Sequence, residues 1–466
     1  MDSLHYHEMR RRLYFTAGIC LLFTGCVFAA PTRYSVGVAR MDVTPSYPVR
    51  LAGYAVRSTE CTNVFQRIWA KAIVLGKDRE RPKVLITVDN CGVPINVRNS
   101  VVAELRRLKK IDPSNVTICS THTHSAPMLQ GYLTNLFIGP LPPDQDARLK
   151  RYTDELTHSL IQVTLAALDD RKPGTMTFGK GTAGFAANRR IAGGPVDHDV
   201  PVLFIHGVDG SLRAVLASYA CHCTTLTGEF NEICGDWAGF AQQQVELDHP
   251  SAVCLIAVGC GADSNPNPRP GKDLAAQHGK EVAAAIAQLA RTKGRPITGK
   301  LECRTRDIRL PYDTLPTREK WEALTKESPY VAQHARINLD RLNRGEKLPT
   351  DLPYMVQTWN FGKSLAMVFL PGEVTVDYSL RLKREFDASR IWVNAYANDV
   401  PCYIPSERVL KEGGYEGGLA MIYYDRPTKF APGVEDLIVG AVHKLVPKSF
   451  RAGDGKNPAA IAGTSE

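Results

Sequence analysis

The stretch "NVTICSTHTHSAP", residues 115–127, carries a β-branched apolar run directly into two histidines. Such a run predicts a buried strand. Polar residues at its end predict a functional site, because strand ends hold side chains in fixed relative positions. The whole chain of 466 residues has only 12 histidines, so His122 and His124 stand out. On a continuing strand, residues two apart would lie on the same face.

Strand-like and helix-like segments alternate on both sides of this stretch. Helices are predicted over 97–111 and 146–170, and a hairpin over 200–223. A second hairpin is predicted to turn at Phe361-Gly362-Lys363, and residues 318–345 read as one charged helical stretch. The alternation predicts an α/β fold, built as one large domain of mixed sheets and helices.

The predicted domain covers residues 31–450, with 298–355 as a candidate peripheral insertion and 451–466 as a flexible tail. Residues 1–30 predict a signal peptide or an N-terminal anchor, since a basic segment precedes an apolar run. Three alternatives stay open: cleavage near Ala29 or Ala30, a poor lipoprotein box at Cys26, and an uncleaved anchor. Each of them predicts export, so that the protein is secreted, periplasmic or membrane-anchored.

The overall composition is that of a soluble globular protein, with 44% hydrophobic and 23% charged residues. The net charge of +9 comes from scattered residues, so no nucleic-acid partner is expected. A membrane surface or a weakly anionic partner is compatible with this charge. Ten cysteines follow residue 60, and in an exported chain their even number permits disulfides of unknown pairing.

Residues of metal-ligand type follow several of the predicted strands. These residues are His122, His124, His222, Glu373 and Tyr403. Histidines with a carboxylate suit a first-row metal, and Zn²⁺ is the usual choice for such a set. A single histidine at a strand end is more often a hydrogen-bonded structural residue, and only the set as a whole favours a metal.

Motifs in the same order resemble those of the neutral ceramidase family, the exported zinc-dependent amidases of sphingolipid metabolism. They cover roughly residues 35–440. The motifs are "VGVARMDVTPSYPVRLAGYA", "STHTHSAP", "NRR", "CHCTT", "CGDWAGFA", "LPGEVTVDYSLRLKRE" and "NDVPCYIPSERVLKEGGYEGG". The resemblance implies the fold of the family's N-terminal catalytic domain, without the further β-sandwich domain that family enzymes carry.

The resemblance also implies roles for individual residues. It assigns the zinc ligands to His122, His222, Glu373 and Tyr403. His124 would support the metal site or transfer protons, and Tyr403 would also act as an acid or hydrogen-bond donor. Arg189, in the "NRR" motif, would hold a substrate oxygen or a charge near the metal; a plain surface arginine is the alternative.

One segment departs from the family pattern. "GCGADSNPNPR", residues 259–269, replaces the family's Gly-Asp-Val-Ser-Pro-Asn, whose serine is the nucleophile. Alignment of the aspartate, proline and asparagine puts Asn265 at the serine position, whereas a shift of one residue puts Ser264 there. Asparagine forms no acyl-enzyme but can donate to an oxyanion. Water activated by zinc would need no serine.

Taken together, these features predict an exported zinc-dependent amidase that hydrolyses an N-acylsphingosine or a related N-acyl lipid. Two alternatives remain. In the first, the protein is a metal hydrolase of a different small amide or ester. In the second, it is a non-catalytic exported binding protein that has lost the nucleophile.

Overall fold

The apolar run "KVLITV" forms the strand Lys83–Val88, and all of its residues are buried. In this computed structural model, which describes residues 32–452, the two faces of the strand meet different cores. Val84 and Ile86 face a core lined by helices, whereas Leu85 faces a second sheet. A strand buried on both faces has no polar side, and its sequence is therefore continuously apolar.

The described residues contain nineteen strands and ten α-helices. The strands are β1 Tyr34–Asp42, β2 Asn63–Val64, β3 Trp69–Leu75, β4 Lys83–Val88, β5 Val116–Ser120, β6 Lys172–Thr182, β7 Ala186–Asn188, β8 Asp199–Gly207, β9 Leu212–Tyr219, β10 Glu232–Ile233, β11 Val253–Val258, β12 Ser264–Pro266, β13 Arg295–Pro296, β14 Leu301–Pro311, β15 Asp351–Phe361, β16 Leu365–Phe369, β17 Glu373–Val374, β18 Ile391–Asn394 and β19 Tyr403–Ile404. The helices are α1 Ile95–Lys109, α2 Pro143–Asp169, α3 Asp236–Asp248, α4 Lys272–Ala290, α5 Arg318–Leu324, α6 Pro329–Asn343, α7 Val376–Glu385, α8 Glu407–Glu412, α9 Gly414–Gly417 and α10 Val434–Leu445.

The larger sheet has the strand order β11-β9-β8-β6-β1-β3-β4-β5, with β13 paired to β6. Its strands are mostly antiparallel, but β4 pairs with β5 and β9 with β11 in parallel. Helix α2 packs on β1 and β3, α3 on β11, and α4 on β6 and β8. The helices therefore cover one face of this sheet.

The other face packs against a smaller sheet of order β14-β15-β16-β18. Their shared core joins Ile73 and Leu255 of the larger sheet to Phe361 and Trp392 of the smaller one. Helix α10 packs against β14 and β15 of the smaller sheet. Each fully buried apolar side chain stabilises the fold by about 1.5–3 kcal/mol, so this core holds the strand ends rigidly.

The α/β prediction and both predicted hairpins are confirmed: β8 pairs with β9, and β15 with β16 across Gly362. The charged stretch at 318–345 forms two helices instead of one, because Pro329 begins a new helix and cannot continue the previous one. Residues 298–355 include β14, α5 and α6, and β14 pairs along its whole length with β15.

The segment predicted for export, residues 1–30, lies outside the described residues, as does most of the predicted tail. Within residues 32–452, none of the helices is both long and apolar enough to span a bilayer. The ten cysteines of this part of the chain are free thiols, and nine of them are buried.

Candidate functional site

Four strand ends meet at one point between the sheets. The loop after β5 carries His122, the loop after β9 carries His222, and Glu373 follows β16. Thr123 and Cys223, neighbours of the two histidines, form a parallel bridge. Glu373 pairs directly with Tyr403 between β17 and β19. Backbone pairing therefore brings together the four residues that the resemblance assigns to zinc.

Three ligand atoms converge at this point. Nε2 of His122 lies 3.2 Å, and Nε2 of His222 3.1 Å, from the same Oε2 atom of Glu373. All three side chains are buried. Ligands about 2.0–2.1 Å from a tetrahedral zinc ion stand roughly 3.3–3.4 Å apart. The two distances from Oε2 of Glu373 to the histidine nitrogens therefore fit a metal of this size.

Backbone carbonyls orient both histidine rings. Nδ1 of His122 donates to the carbonyl of Cys91 at 2.5 Å, and Nδ1 of His222 donates to that of Gly261 at 2.8 Å. These bonds place the ring proton on Nδ1 and direct Nε2 toward Glu373, the arrangement usual for metal-bound histidine.

The electrostatics of the cluster favour a bound cation at one contact. Burial and the nearby Arg189 lower the pKa of His222 to about 4, so its ring is neutral at neutral pH. Nε2 then faces a carboxylate oxygen of Glu373 at 3.1 Å, and both atoms are acceptors. Burial opposes the charge on His122, yet the carboxylate of Glu373 raises the pKa of that ring to about 10. A metal ion would displace the proton on His122 and satisfy both histidines.

Tyr403 adjoins the three-residue cluster through its hydroxyl, which lies 3.4 Å from Nε2 of His222. It accepts a hydrogen bond from Nη2 of Arg189 at 3.0 Å, and Arg189 also pairs through Nε with Glu416 at 2.7 Å. Burial and the charge of Glu373 raise the pKa of Tyr403 well above its usual range. The structure thus places Arg189 at the site, and Glu416 holds it there.

His124 also lies at the site, but it does not share a strand face with His122 as the sequence predicts. Its Nε2 is 3.1 Å from Nε2 of His122. The expectation that both rings share a strand face is wrong, since β5 ends at Ser120 and His122 has a left-handed φ of 59°. The ring of His124 lies directly against the backbone of Gly53, where a Cβ atom would come within 2.3 Å of Nδ1.

Ser264 and Asn265 are both on β12, and only one of them reaches open space. The Ser264 hydroxyl is buried and has no hydrogen-bond partner in the described structure. Asn265 lines a cavity of about 610 Å³ beside Arg189 and Tyr403. Its Oδ1 accepts from Thr224 at 3.3 Å and from Arg189 at 3.5 Å. Asn265 therefore occupies the side of the strand that faces the site.

A second cavity, of about 200 Å³, also borders His124 and Tyr403 and takes in His122 and Glu373. Its lining is mainly aromatic and apolar, with Tyr54, Tyr132, Leu133, Leu136, Tyr415, Tyr423 and Tyr424 around the metal-type cluster. An apolar chain of modest size fits such a lining.

Sequence reasoning missed Tyr424, whose hydroxyl donates to Oε1 of Glu373 in a short bond. It also missed the carbonyl of Cys91 that orients His122. The segment "LAMIYYD" has no strand end or ligand spacing to mark Tyr424. A backbone carbonyl has no sequence signal at all.

Comparisons with known proteins identify the family of this chain. The family model described as neutral/alkaline non-lysosomal ceramidase, N-terminal, matches residues 34–289. Neutral ceramidase B of Dictyostelium discoideum is 25% identical over 45% of this chain, and the match spans 31% of that protein. Neutral ceramidase of Pseudomonas aeruginosa is 23% identical over 85% of this chain and 72% of its own.

Two solved structures share the fold. A ceramidase complexed with C2 superposes with a TM-score of 0.70 and 19% identity, over 89% of this chain and 76% of the other. The crystal structure of neutral ceramidase from Pseudomonas aeruginosa gives a TM-score of 0.67 and 21% identity, over 91% and 76% of the two chains. The matched family model, which covers more than half of the sequence, shows that this chain belongs to the neutral/alkaline non-lysosomal ceramidase family.

Proposed function

We propose that this protein is an exported zinc-dependent amidase that hydrolyses the amide bond of an N-acylsphingosine or a related N-acyl lipid. The observation that carries the proposal is the buried contact of His122 and His222 with one oxygen of Glu373. A bound cation would satisfy the acceptor atoms that meet in this contact, which lies in a ceramidase-family fold. Family membership supports amide hydrolysis as the reaction.

His122, His222 and Glu373 would hold the ion, with the Tyr403 hydroxyl beside them. A bound zinc ion supplies Lewis acidity, which polarises a carbonyl and lowers the pKa of a water. Hydrolysis adds that water across the C–N bond: the hydroxyl stays on the acyl carbon, and the proton goes to the leaving amine.

Other side chains would stabilise negative charge and transfer protons. Among the described residues, Nδ2 of Asn265 has no protein acceptor, while its Oδ1 is held by Thr224 and Arg189. The amide group of Asn265 can therefore donate to the oxygen that gains negative charge, and no serine is needed. His124 and Tyr403 are close enough to the cluster to receive and return the proton.

The experiment is an assay of the purified protein on N-acylsphingosine and on short N-acyl amides. Each substrate is tested before chelation, after it, and after zinc is added back. We expect hydrolysis that is lost on chelation and restored by zinc. Full activity in the apo protein would rule out the metal-dependent reaction. A protein that binds zinc but cleaves none of the substrates would favour the binding-protein alternative.

Export and association with a membrane surface are part of the proposal and rest on residues 1–30 and on the net charge of +9. Mass spectrometry of the N-terminus, after expression in a host with a secretory pathway, tests them. A shortened or lipidated N-terminus supports export. An intact chain that stays in the cytoplasm contradicts it.

A further inference from the structure

The cavity beside Asn265 is rich in arginine. Of its twelve lining residues, Arg189, Arg190 and Arg269 carry positive charge, and Glu416 is the acidic one. Three guanidinium groups and one carboxylate leave the lining with a net charge of plus two. A concave surface of one sign concentrates ligands of the opposite charge.

Two of these arginines are neutralised. Glu416 pairs with Arg189 at 2.7 Å and with Arg190 at 2.6 Å, and Glu412 adds a second pair to Arg190 at 3.1 Å. Arg269 differs from them, because it is exposed and has no carboxylate partner within residues 32–452. It is the cation of this cavity that remains available to a ligand.

Hydrogen bonds fix Arg269 next to the proposed reaction centre. Its Nη1 donates to the carbonyl of Thr224 at 3.1 Å. The hydroxyl of Thr224 in turn donates to Oδ1 of Asn265, which Arg189 also contacts. Since one guanidinium nitrogen is enough for the carbonyl, the other donors of Arg269 stay free for a planar anion.

The second cavity has a different character. The cavity of about 200 Å³ is lined by tyrosines and leucines and suits an apolar acyl chain. A substrate that reaches both cavities would place one end in each, because the cavities adjoin along shared lining residues: Gly53, Tyr54, His124, Tyr403 and Tyr415. Its second end would then lie among the arginines.

We propose that the substrate carries an anionic group, a carboxylate or a phosphate, on the amine side of its amide bond, and that Arg269 binds this group. The inference rests on the proposed amidase function. It makes Arg269 a residue that determines specificity and leaves the bond that is cleaved unchanged.

The test compares matched pairs of substrates that differ in this charge alone. One pair is N-hexanoylglycine and N-hexanoylglycinamide; the other is C6-ceramide phosphate and C6-ceramide. With zinc-loaded protein we expect kcat/KM to be about tenfold or more higher for the anionic member of at least one pair. The pair that shows the preference identifies the anion as carboxylate or phosphate. The preference should fall as salt is raised, because Arg269 is exposed.

Arg269→Gln should bring the ratio of the two kcat/KM values close to one. Arg269→Lys should retain part of the preference for the anionic substrate. Arg106→Gln is the matched control: this exposed cation on α1 lines neither cavity, and the ratio should stay as in wild type. Equal kcat/KM within both pairs, or a preference that survives in Arg269→Gln, would overturn the inference while the amidase function stands. Cleavage of no member of either pair would contradict the amidase function itself.

Discussion

Ser264 and Asn265 are neighbours on β12, yet the Ser264 hydroxyl is buried whereas Asn265 faces the cavity next to Arg189. Successive side chains of a strand point to opposite sides, so only one of the two can reach the site. Of the two candidates for the family's serine position, the one that faces the cavity therefore cannot form an acyl-enzyme.

We therefore expect Ser264→Ala to keep kcat within about twofold of wild type, because it removes a buried hydroxyl that bonds to nothing. Asn265→Ala should lower kcat about 100-fold, the usual effect of removing an oxyanion donor. Steady-state kinetics with the best substrate checks both. If Ser264→Ala loses activity as severely as Asn265→Ala, an acyl-serine route operates instead.

Glu373→Gln keeps the shape of the side chain and removes the charge that both histidines face. Because a neutral amide is a poor ligand for zinc, bound metal should fall well below one ion per chain. Activity should drop by more than about 100-fold. Elemental analysis and the amidase assay measure these changes. Glu327→Gln, an exposed carboxylate on the connection between α5 and α6, should match wild type in both. Normal zinc content in Glu373→Gln would place the metal elsewhere.

Tyr424→Phe tests a contact that sequence reasoning did not find. Its hydroxyl donates to the second oxygen of Glu373 and so holds the carboxylate in position. Loss of such a support commonly weakens metal affinity by about 10–100-fold. Competition with a chromogenic chelator measures the affinity. Tyr423→Phe is the control, since this neighbour makes no bond to Glu373, and an equal loss in both variants would exclude the specific role of Tyr424.

The buried His334, on α6, is expected to make stability depend on pH. Burial lowers the pKa of this ring to about 4; Asp425 opposes the shift and Arg341 adds to it. Between pH 6.5 and about 4 the unfolded chain binds a proton that the folded chain does not, so stability is lost as the pH falls. The loss attributable to His334 reaches up to about 3 kcal/mol.

Chemical denaturation of wild type and His334→Leu at pH 7 and pH 4.5 measures this effect. The difference between the two proteins isolates His334, because all other titrating groups are common to both. Wild type should lose more stability than the variant on acidification. An identical loss in both would show that His334 does not carry the effect.

The strands and helices could be predicted from local patterns. Apolar runs such as "KVLITV" indicate buried strands, and amphipathic repeats indicate helices with one buried face. The positions of His122, His222, Glu373 and Tyr403 after apolar strands were likewise visible in the sequence. The break at Pro329 has a sequence signal of its own, because proline is common in the first turn of a helix and disrupts a helix interior.

Other features depended on residues far apart in the chain. Tyr424 and Glu373 form a hydrogen bond although they are 51 positions apart in the sequence, and Glu416 and Arg189 do so at a separation of 227. The sequence by itself determined which residues of metal-ligand type follow buried strands, since local burial and residue type set their place at strand ends. Only the tertiary structure decided that Asn265 and not Ser264 faces the site, because the pairing of β12 with β7 sets which side of the strand meets the cavity.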